Sequence, residues 1–248
     1  MNYNWNWNIF FDMSLDGTNT YWQTLVMGLG WTAVTAVCAF SIALLLGSLA
    51  GIARNTPFAI LNRCGSAFVE LFRNIPLLMQ MFLWYFVLPE ALPESAGDWL
   101  KQLPNAQFYT ATLCLGCYHG ARMAEVVRAG LESLSKGQRM AGQALGLTLP
   151  QTYRFVLLPV AFRIVMPAIT SEFLSCTKNT SVALAIGLVE LTGSARAMQE
   201  NSFQVFEAFT AATVLYLLLN LIIVFVMRSM EKRAALPGFG MTQNRKKG

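Results

Sequence analysis

The fold class this sequence predicts is an all-α membrane protein with about five transmembrane helices, and three observations predict it. Hydrophobic residues fill 55% of the 248 positions and charged residues only 12%, where soluble domains carry about 25% charged residues. The uncharged runs 21–53 and 208–227 are each long enough for one spanning helix, which needs about 20 residues. Lys and Arg number 0, 2, 1, 4, 2 and 6 in regions 1–20, 54–63, 89–105, 132–163, 178–207 and 228–248. That alternation follows the positive-inside rule. It puts the N-terminus outside and the C-terminus in the cytoplasm, which needs an odd number of spans. The net charge of +5 is therefore spread by membrane side and gives no signal for nucleic acid.

Residues 1–20 are polar and aromatic, with Trp5 and Trp7. They suit an extracytoplasmic membrane interface, where Trp rings favour headgroup depth. No Lys or Arg precedes an apolar core there, so a cleaved leader is not expected. The transmembrane unit is expected at 21–231 and a cytoplasmic tail at 232–248. In the first span Ala43, Gly47 and Gly51 repeat every four residues, a small-residue face that lets another helix approach closely. A loop is expected at 54–63. The second apolar stretch, 64–89, is interrupted by Glu70, Arg73, Asn74 and Pro76, so a broken helix is expected at 74–76. The third span, about 106–129, carries Arg122, Glu125 and Arg128, and the fourth, about 160–177, carries Glu172. Lys178 and Asn179 follow. The apolar run 182–189 is too short to cross and reads as a re-entrant or interfacial turn leading to a short helix near 190–199. The five cysteines read as small side chains in apolar segments, because a lone Cys114-x-x-Cys117 has no second pair to complete a metal site.

Between the third and fourth spans lies a polar, basic stretch, Gly137 to Pro159. It reads as a helix from about Gln138, a break at 146–150 and a second helix from Gln151. Gly146 tolerates the left-handed conformation that ends a helix, and Pro150 suits the first turn of the next. This stretch resembles the cytoplasmic coupling loop of ABC importer permeases: Glu-Ala-Ala, three residues, Gly, nine residues, then hydrophobic-x-Leu-Pro. Here the frame reads Met140-Ala141-Gly142, Gly146 and Val156-Leu157-Leu158-Pro159. Met140 stands where the family has Glu, and Gly142 where it has Ala. Met140 lacks the carboxylate that a salt bridge from that position needs.

The resemblance covers about residues 21–231. Glu70-Leu71-Phe72-Arg73-Asn74-Ile75-Pro76 with Gln80, and Gly187-Leu188-Val189-Glu190-Leu191 after Lys178-Asn179, look like the polar amino-acid branch. Trp5-Asn6-Trp7 and the run Tyr153 to Pro159 look like the glutamate/aspartate permease subunits. The resemblance implies a type I permease fold and a multi-pass protein of the bacterial inner membrane. It implies a cytoplasmic ABC ATPase dimer, a second, paralogous permease subunit, and a periplasmic amino-acid-binding protein. The ATPase-coupling residues it implies are Gly137, Gln138, Arg139, Met140, Ala141, Gly142, Ala144, Gly146 and Pro159. No cofactor is expected on this chain, with ATP and Mg on the ATPase; the chain is expected to meet membrane lipid and no nucleic acid.

Charged side chains inside a span pair or face a water-filled path. Glu70–Arg73, Arg122–Glu125 and Glu125–Arg128 are each three apart, so each pair shares a helix face. They read either as self-neutralising pairs or as the lining of a path. For an acidic amino acid, Arg suits the carboxylates: Arg73 and Arg122 are the candidates, with Lys178 at a gate. Glu70, Glu125 or Glu172 would meet the ammonium, and Asn74 would mark the broken helix. Glutamate, aspartate, glutamine and other polar amino acids stay open. No P-loop, metal-binding His motif or Gly-x-Ser-x-Gly elbow occurs, and the only His, His119, reads as a packed side chain. The chain is read as a transport subunit rather than an enzyme, with a self-contained secondary transporter or channel as the alternative.

Overall fold

The computed structural model describes residues 3–134 and 136–234; the basic end of the tail, Arg245 to Lys247, lies outside them. Every regular element among the described residues is helical. A short 3-10 turn, Trp7–Phe11, precedes α1 (Tyr21–Asn55). Thr20 and Gln23 form a reciprocal capping box at the start of α1, which satisfies amide donors that a helix N-terminus leaves open. At 35 residues, α1 extends roughly 52 Å, more than a bilayer core requires.

The expected loop at 54–63 is shorter than predicted. α1 continues to Asn55 and α2 (Ala59–Asn74) begins four residues later. Helix propensity carries the chain through Arg54 and Arg63 on either side of Pro57, which alone breaks it. The broken helix at 74–76 is present: α2 turns through 102° into the segment Leu77–Ala91. Gln80 stabilises the bend, its Nε2 donating to the carbonyls of Phe72 and Ile75 at 2.8 Å each. That segment comprises α3 (Leu77–Phe82), a π turn at Leu83–Val87 and α4 (Leu88–Ala91). The region read as the loop 89–105 contains a further helix, α5 (Glu94–Gln102).

α6 (Ala106–Glu132) is the central polar helix. α7 (Lys136–Ala144) and α8 (Leu149–Thr152) form the elbow. A π turn at Tyr153–Leu157 leads into α9 (Leu158–Asn179). A 3-10 turn, Thr180–Ile186, then leads to α10 (Leu191–Ser202), the short helix expected there. α11 (Val205–Ala234) closes the fold. Three stretches are long and apolar enough to cross a membrane, Tyr21–Asn55, Leu149–Ile186 and Val205–Arg233, and the bent pair α2/α3–α4 makes a fourth. α6, at 27 residues, is long enough but is not among the apolar stretches, so by length and composition the described residues hold three or four spans where about five are expected.

The small-residue face of α1 packs on α6. A Cβ at Gly47 would lie 2.5 Å from the Met123 Cβ, and one at Gly51 would lie 2.7 Å from the Ala124 carbonyl. Around this seam Phe40, Leu115, Met123 and Ile169 are buried. A second cluster joins Tyr21 and Leu25 to Leu191, Met198 and Leu215. At its edge the fully buried Glu190 caps α10, accepting from the Thr192 and Gly193 amides, Thr32 Oγ1 and Tyr216 Oη. Four donors compensate the burial of a carboxylate. Of the cysteines, Cys114 and Cys176 are buried and Cys64 is exposed, so the reading of small core side chains does not extend to Cys64.

Candidate functional site

α6 carries His119, Arg122, Glu125 and Arg128 at steps of three; the first three meet partners from other helices, and Arg128 pairs within α6. In the inner cluster Glu172 of α9 is 8% exposed. It accepts from Arg122 Nε at 2.8 and 3.0 Å and from His119 Nδ1 at 2.9 Å. Asn179 Nδ2 lies 3.1 Å from His119 Nε2. The Asn179 side chain at Nε2 and the Glu172 carboxylate at Nδ1 engage both ring nitrogens. The fully buried His119 is therefore a strut between α6 and α9, packed and hydrogen-bonded as expected. Arg122 is engaged by Glu172 through Nε, its side chain is 46% exposed, and Tyr118 lies against the guanidinium.

The outer cluster centres on Glu125. One of its oxygens receives Arg54 Nη1 at 2.7 Å and Arg73 Nη1 at 2.9 Å; the other receives Arg128 Nε at 3.0 Å. Arg128 also reaches Glu132 at 2.6 Å. Three guanidiniums from α1, α2 and α6 thus converge on one carboxylate.

These contacts correct two of the three expected pairs. Glu125 does pair with Arg128, but Arg122 turns to Glu172 and Arg73 to Glu125. Packing of α9 and α2 on α6 offers less solvated partners than the neighbours three apart: Glu172 rather than the half-buried Glu125 for Arg122, and Glu125 rather than the exposed Glu70 for Arg73. Glu70, Asn74 and Lys178 are exposed, and neither Glu70 nor Lys178 makes an ion pair among the described residues. The structure therefore brings together Arg73 with Glu125, and Arg122 with Glu172, and leaves the other three candidates apart. Sequence reasoning passed over Arg54, taken as a loop charge, and the linking role of His119 and Asn179. A usable signal for Arg54 exists, since it extends the Ala43/Gly47/Gly51 face by one step of three.

The elbow is built largely as expected, except that its second helix starts at Leu149 rather than Gln151. Thr148 and Gln151 form a capping box there with Pro150 in the first turn, which displaces the start by two residues. Gly146 has φ +79°, where a side chain would be strained. Gly142 is buried against α8; a Cβ would lie 2.9 Å from Thr152 Cγ2. Gly137, Met140, Ala141, Ala144 and Leu145 are exposed, with Met140 at 62% and Leu145 at 80%. At 100° per residue they span one face of α7, opposite the side Gly142 packs on. Gln138 is partly buried, and the Arg139 side chain lies outside the described residues. Tyr153 Oη donates to the elbow's anchor on α1, the Asn55 carbonyl and side chain, at 2.9 Å. Ahead of Pro159 the Leu158 amide donates five residues back to Tyr153, which accommodates a ring with no N–H of its own.

Known proteins are similar to this chain over most of its length. The family described as binding-protein-dependent transport system inner membrane component matches residues 43–236. The glutamate/aspartate import permease protein GltJ of Escherichia coli K12 is 44% identical over 241 residues, 96% of this chain and 98% of that protein. The glutamine transport system permease protein GlnP of the same organism is 32% identical over 84% of this chain and 92% of its own length. Among solved structures, an amino acid ABC transporter crystallised with histidines superposes with a TM-score of 0.73 at 25% identity. That match covers 86% of this chain and 95% of the other. The inward-facing MetNI methionine ABC transporter shares the fold at 22% identity, with a TM-score of 0.63 over 86% of this chain and 95% of the other. An all-helical membrane fold, an elbow at 136–159 and these matches over most of the length give one answer: the chain belongs to the binding-protein-dependent transport system inner membrane component family.

Proposed function

We propose that this chain is the permease subunit of an ATP-driven importer of an acidic amino acid, glutamate or aspartate, with Arg122 as the carboxylate-binding group of the path. The observation that carries the substrate assignment is the way Arg122 is held. Glu172 takes Nε at 2.8 Å and leaves the outer edge of a half-exposed guanidinium available to a ligand. A carboxylate matches that edge as a two-pronged acceptor. The strut from His119 to Asn179 holds Glu172, so the fork is oriented before substrate arrives, which lowers the cost of ordering it. The identity with GltJ, at 44%, supports the same class of substrate.

The exposed apolar face of α7, with Met140 and Leu145, is the surface for a cytoplasmic ATPase dimer that carries the ATP and Mg. A second, paralogous permease completes the path, and a periplasmic binding protein delivers substrate. Residues 1–20 then lie outside and 232–248 in the cytoplasm of an inner-membrane protein. Energy reaches the path when the ATPase binds the two elbow positions with different contacts.

The test is uptake of labelled glutamate into proteoliposomes that hold the permease with its ATPase and binding protein. A hydrogen bond to a charged group contributes about 1.5–3 kcal/mol, so Arg122→Gln lowers uptake roughly 10- to 100-fold while the complex still assembles. Normal uptake by that variant removes Arg122 from the path. Uptake by the chain alone, without ATP, replaces the importer with a secondary transporter.

A further inference from the structure

The N-terminal segment forms an aromatic plate on the first turn of α11. Trp5 and Trp7 stack with centroids 5.8 Å apart and planes 8° apart. The Tyr3 ring stands edge-on to Trp5 at 5.0 Å and to Phe206 at 4.7 Å. Trp5 and Phe206 are 5.5 Å apart. The plate faces outward: Trp5 is 57%, Trp7 50% and Phe206 53% exposed. It is pinned from behind by Glu207, which is fully buried and accepts from Tyr3 Oη and from the Asn6 amide. Residues 3–11 carry no charge, so a charged partner finds nothing to pair with.

Phe206 is also the first residue of an exposed apolar stripe on α11. Val214, Leu217, Leu221 and Phe225 continue it at helical spacing, and all are exposed. From Phe206 to Phe225 the stripe rises roughly 28 Å, close to the bilayer hydrocarbon core of about 30 Å. Arg228, exposed, follows at the far end, where a long cationic side chain reaches the interface. A plate of Trp and Tyr at the near end therefore stands at the depth where such amphipathic rings settle.

We propose that the Tyr3/Trp5/Trp7/Phe206 plate is a membrane-interface anchor whose occupant is the headgroup–acyl boundary of the lipid bilayer, with Glu207 as the pin that holds it at that depth. The anchor sets how deep α11 sits. Through Ile9 and Tyr21, which pack with Leu191 and Ala208, it also ties α10 to the same plane. The proposal rests on α11 spanning the membrane and is independent of substrate.

The experiment uses the full permease, assembled with its partner subunits and reconstituted into phosphatidylcholine vesicles. One lipid is brominated near the carbonyl end of its chain and another near the methyl end. The difference in fluorescence between the natural chain and Trp5→Phe/Trp7→Phe isolates two of the six tryptophans. The expected result is that the difference emission is quenched at least twofold more by the shallow bromine than by the deep one, and little by aqueous iodide. Quenching by iodide places the rings in water. Quenching chiefly by the deep bromine places them in the hydrocarbon. Protection from all three quenchers places a protein over the plate, such as the second permease. Each of these three results overturns the anchor. Glu207→Gln, checked for unchanged helicity, is expected to move the difference emission toward iodide sensitivity; an unchanged profile removes Glu207 as the pin.

Discussion

Glu172 and Glu125 are both carboxylates among guanidiniums, yet their surroundings predict opposite responses to substitution. Glu172 is nearly buried and is the acceptor that Arg122 Nε and His119 Nδ1 share. A hydrogen bond to a charged group contributes about 1.5–3 kcal/mol. Glu172→Gln is therefore expected to lower the thermal midpoint of the detergent-solubilised complex by several degrees. Arg73 is different. Its side chain is 49% exposed, and Glu125 keeps Arg54 and Arg128 when it is lost. Exposed ion pairs contribute about 0–1 kcal/mol, so Arg73→Ala is expected to leave the midpoint within a degree or two. Equal shifts for the two variants, measured by thermal unfolding, would refute this ranking.

At the level of elements, the seam between α1 and α6 depends on the absence of side chains. Gly47 has Met123 and the Gly120 carbonyl within 2.7 Å of where its Cβ would stand. Backbone on one side and a buried, fully enclosed Met123 on the other leave no room to yield. Overpacking of a well-packed interior costs about 1–3 kcal/mol or more, and Gly47→Leu adds several atoms rather than one. The expected outcome is loss of monodisperse protein on size-exclusion chromatography, whereas Gly30→Ala, with open space around it, elutes normally. A normal profile for Gly47→Leu would mean that the helices are less tightly apposed than the structure has them. The elbow obeys the same logic on a smaller scale. Gly142 lets α7 lie on Thr152, and Gly146 turns the chain at φ +79°, so the two glycines orient the outward apolar face without taking part in it.

For the whole molecule, the elbow face and the charged seam lie on one connected frame: α6 carries the seam, runs into the elbow, and α9 returns from it to Glu172. A movement at the elbow would be carried to the seam by α6 and α9. A charge on the elbow face that leaves the frame intact is expected to separate ATP hydrolysis from transport. Ala141→Asp is the variant of choice, because Ala141 is exposed and its replacement strains no backbone. Uptake should fall at least tenfold while the chain is still inserted and recovered with the second permease. ATPase activity should lose its response to substrate-loaded binding protein. Full transport by Ala141→Asp would detach coupling from this helix.

Much of this was legible in the sequence because membranes and backbones constrain composition locally. Uncharged runs located α1 and α11, Pro76 located the break after α2, and Gly146 and Pro150 located the elbow, each through a property of a few adjacent residues. The partners of the buried charges were not legible. Spacing of three suggested Glu70–Arg73 and Arg122–Glu125, but a carboxylate in a helix bundle pairs with whichever guanidinium packing brings within reach. That choice came from α2 and α9 docking on α6, contacts between residues 50 or more positions apart. Likewise the small-residue face of α1 announced a close neighbour without naming α6. Local propensity and hydropathy are set by neighbours in sequence, so the chain alone determined the long apolar helices, the break and the elbow, though not α5. Which charges meet, which glycines touch, and that Glu207 holds the N-terminal rings depend on distances across the fold, so only the tertiary structure decided them.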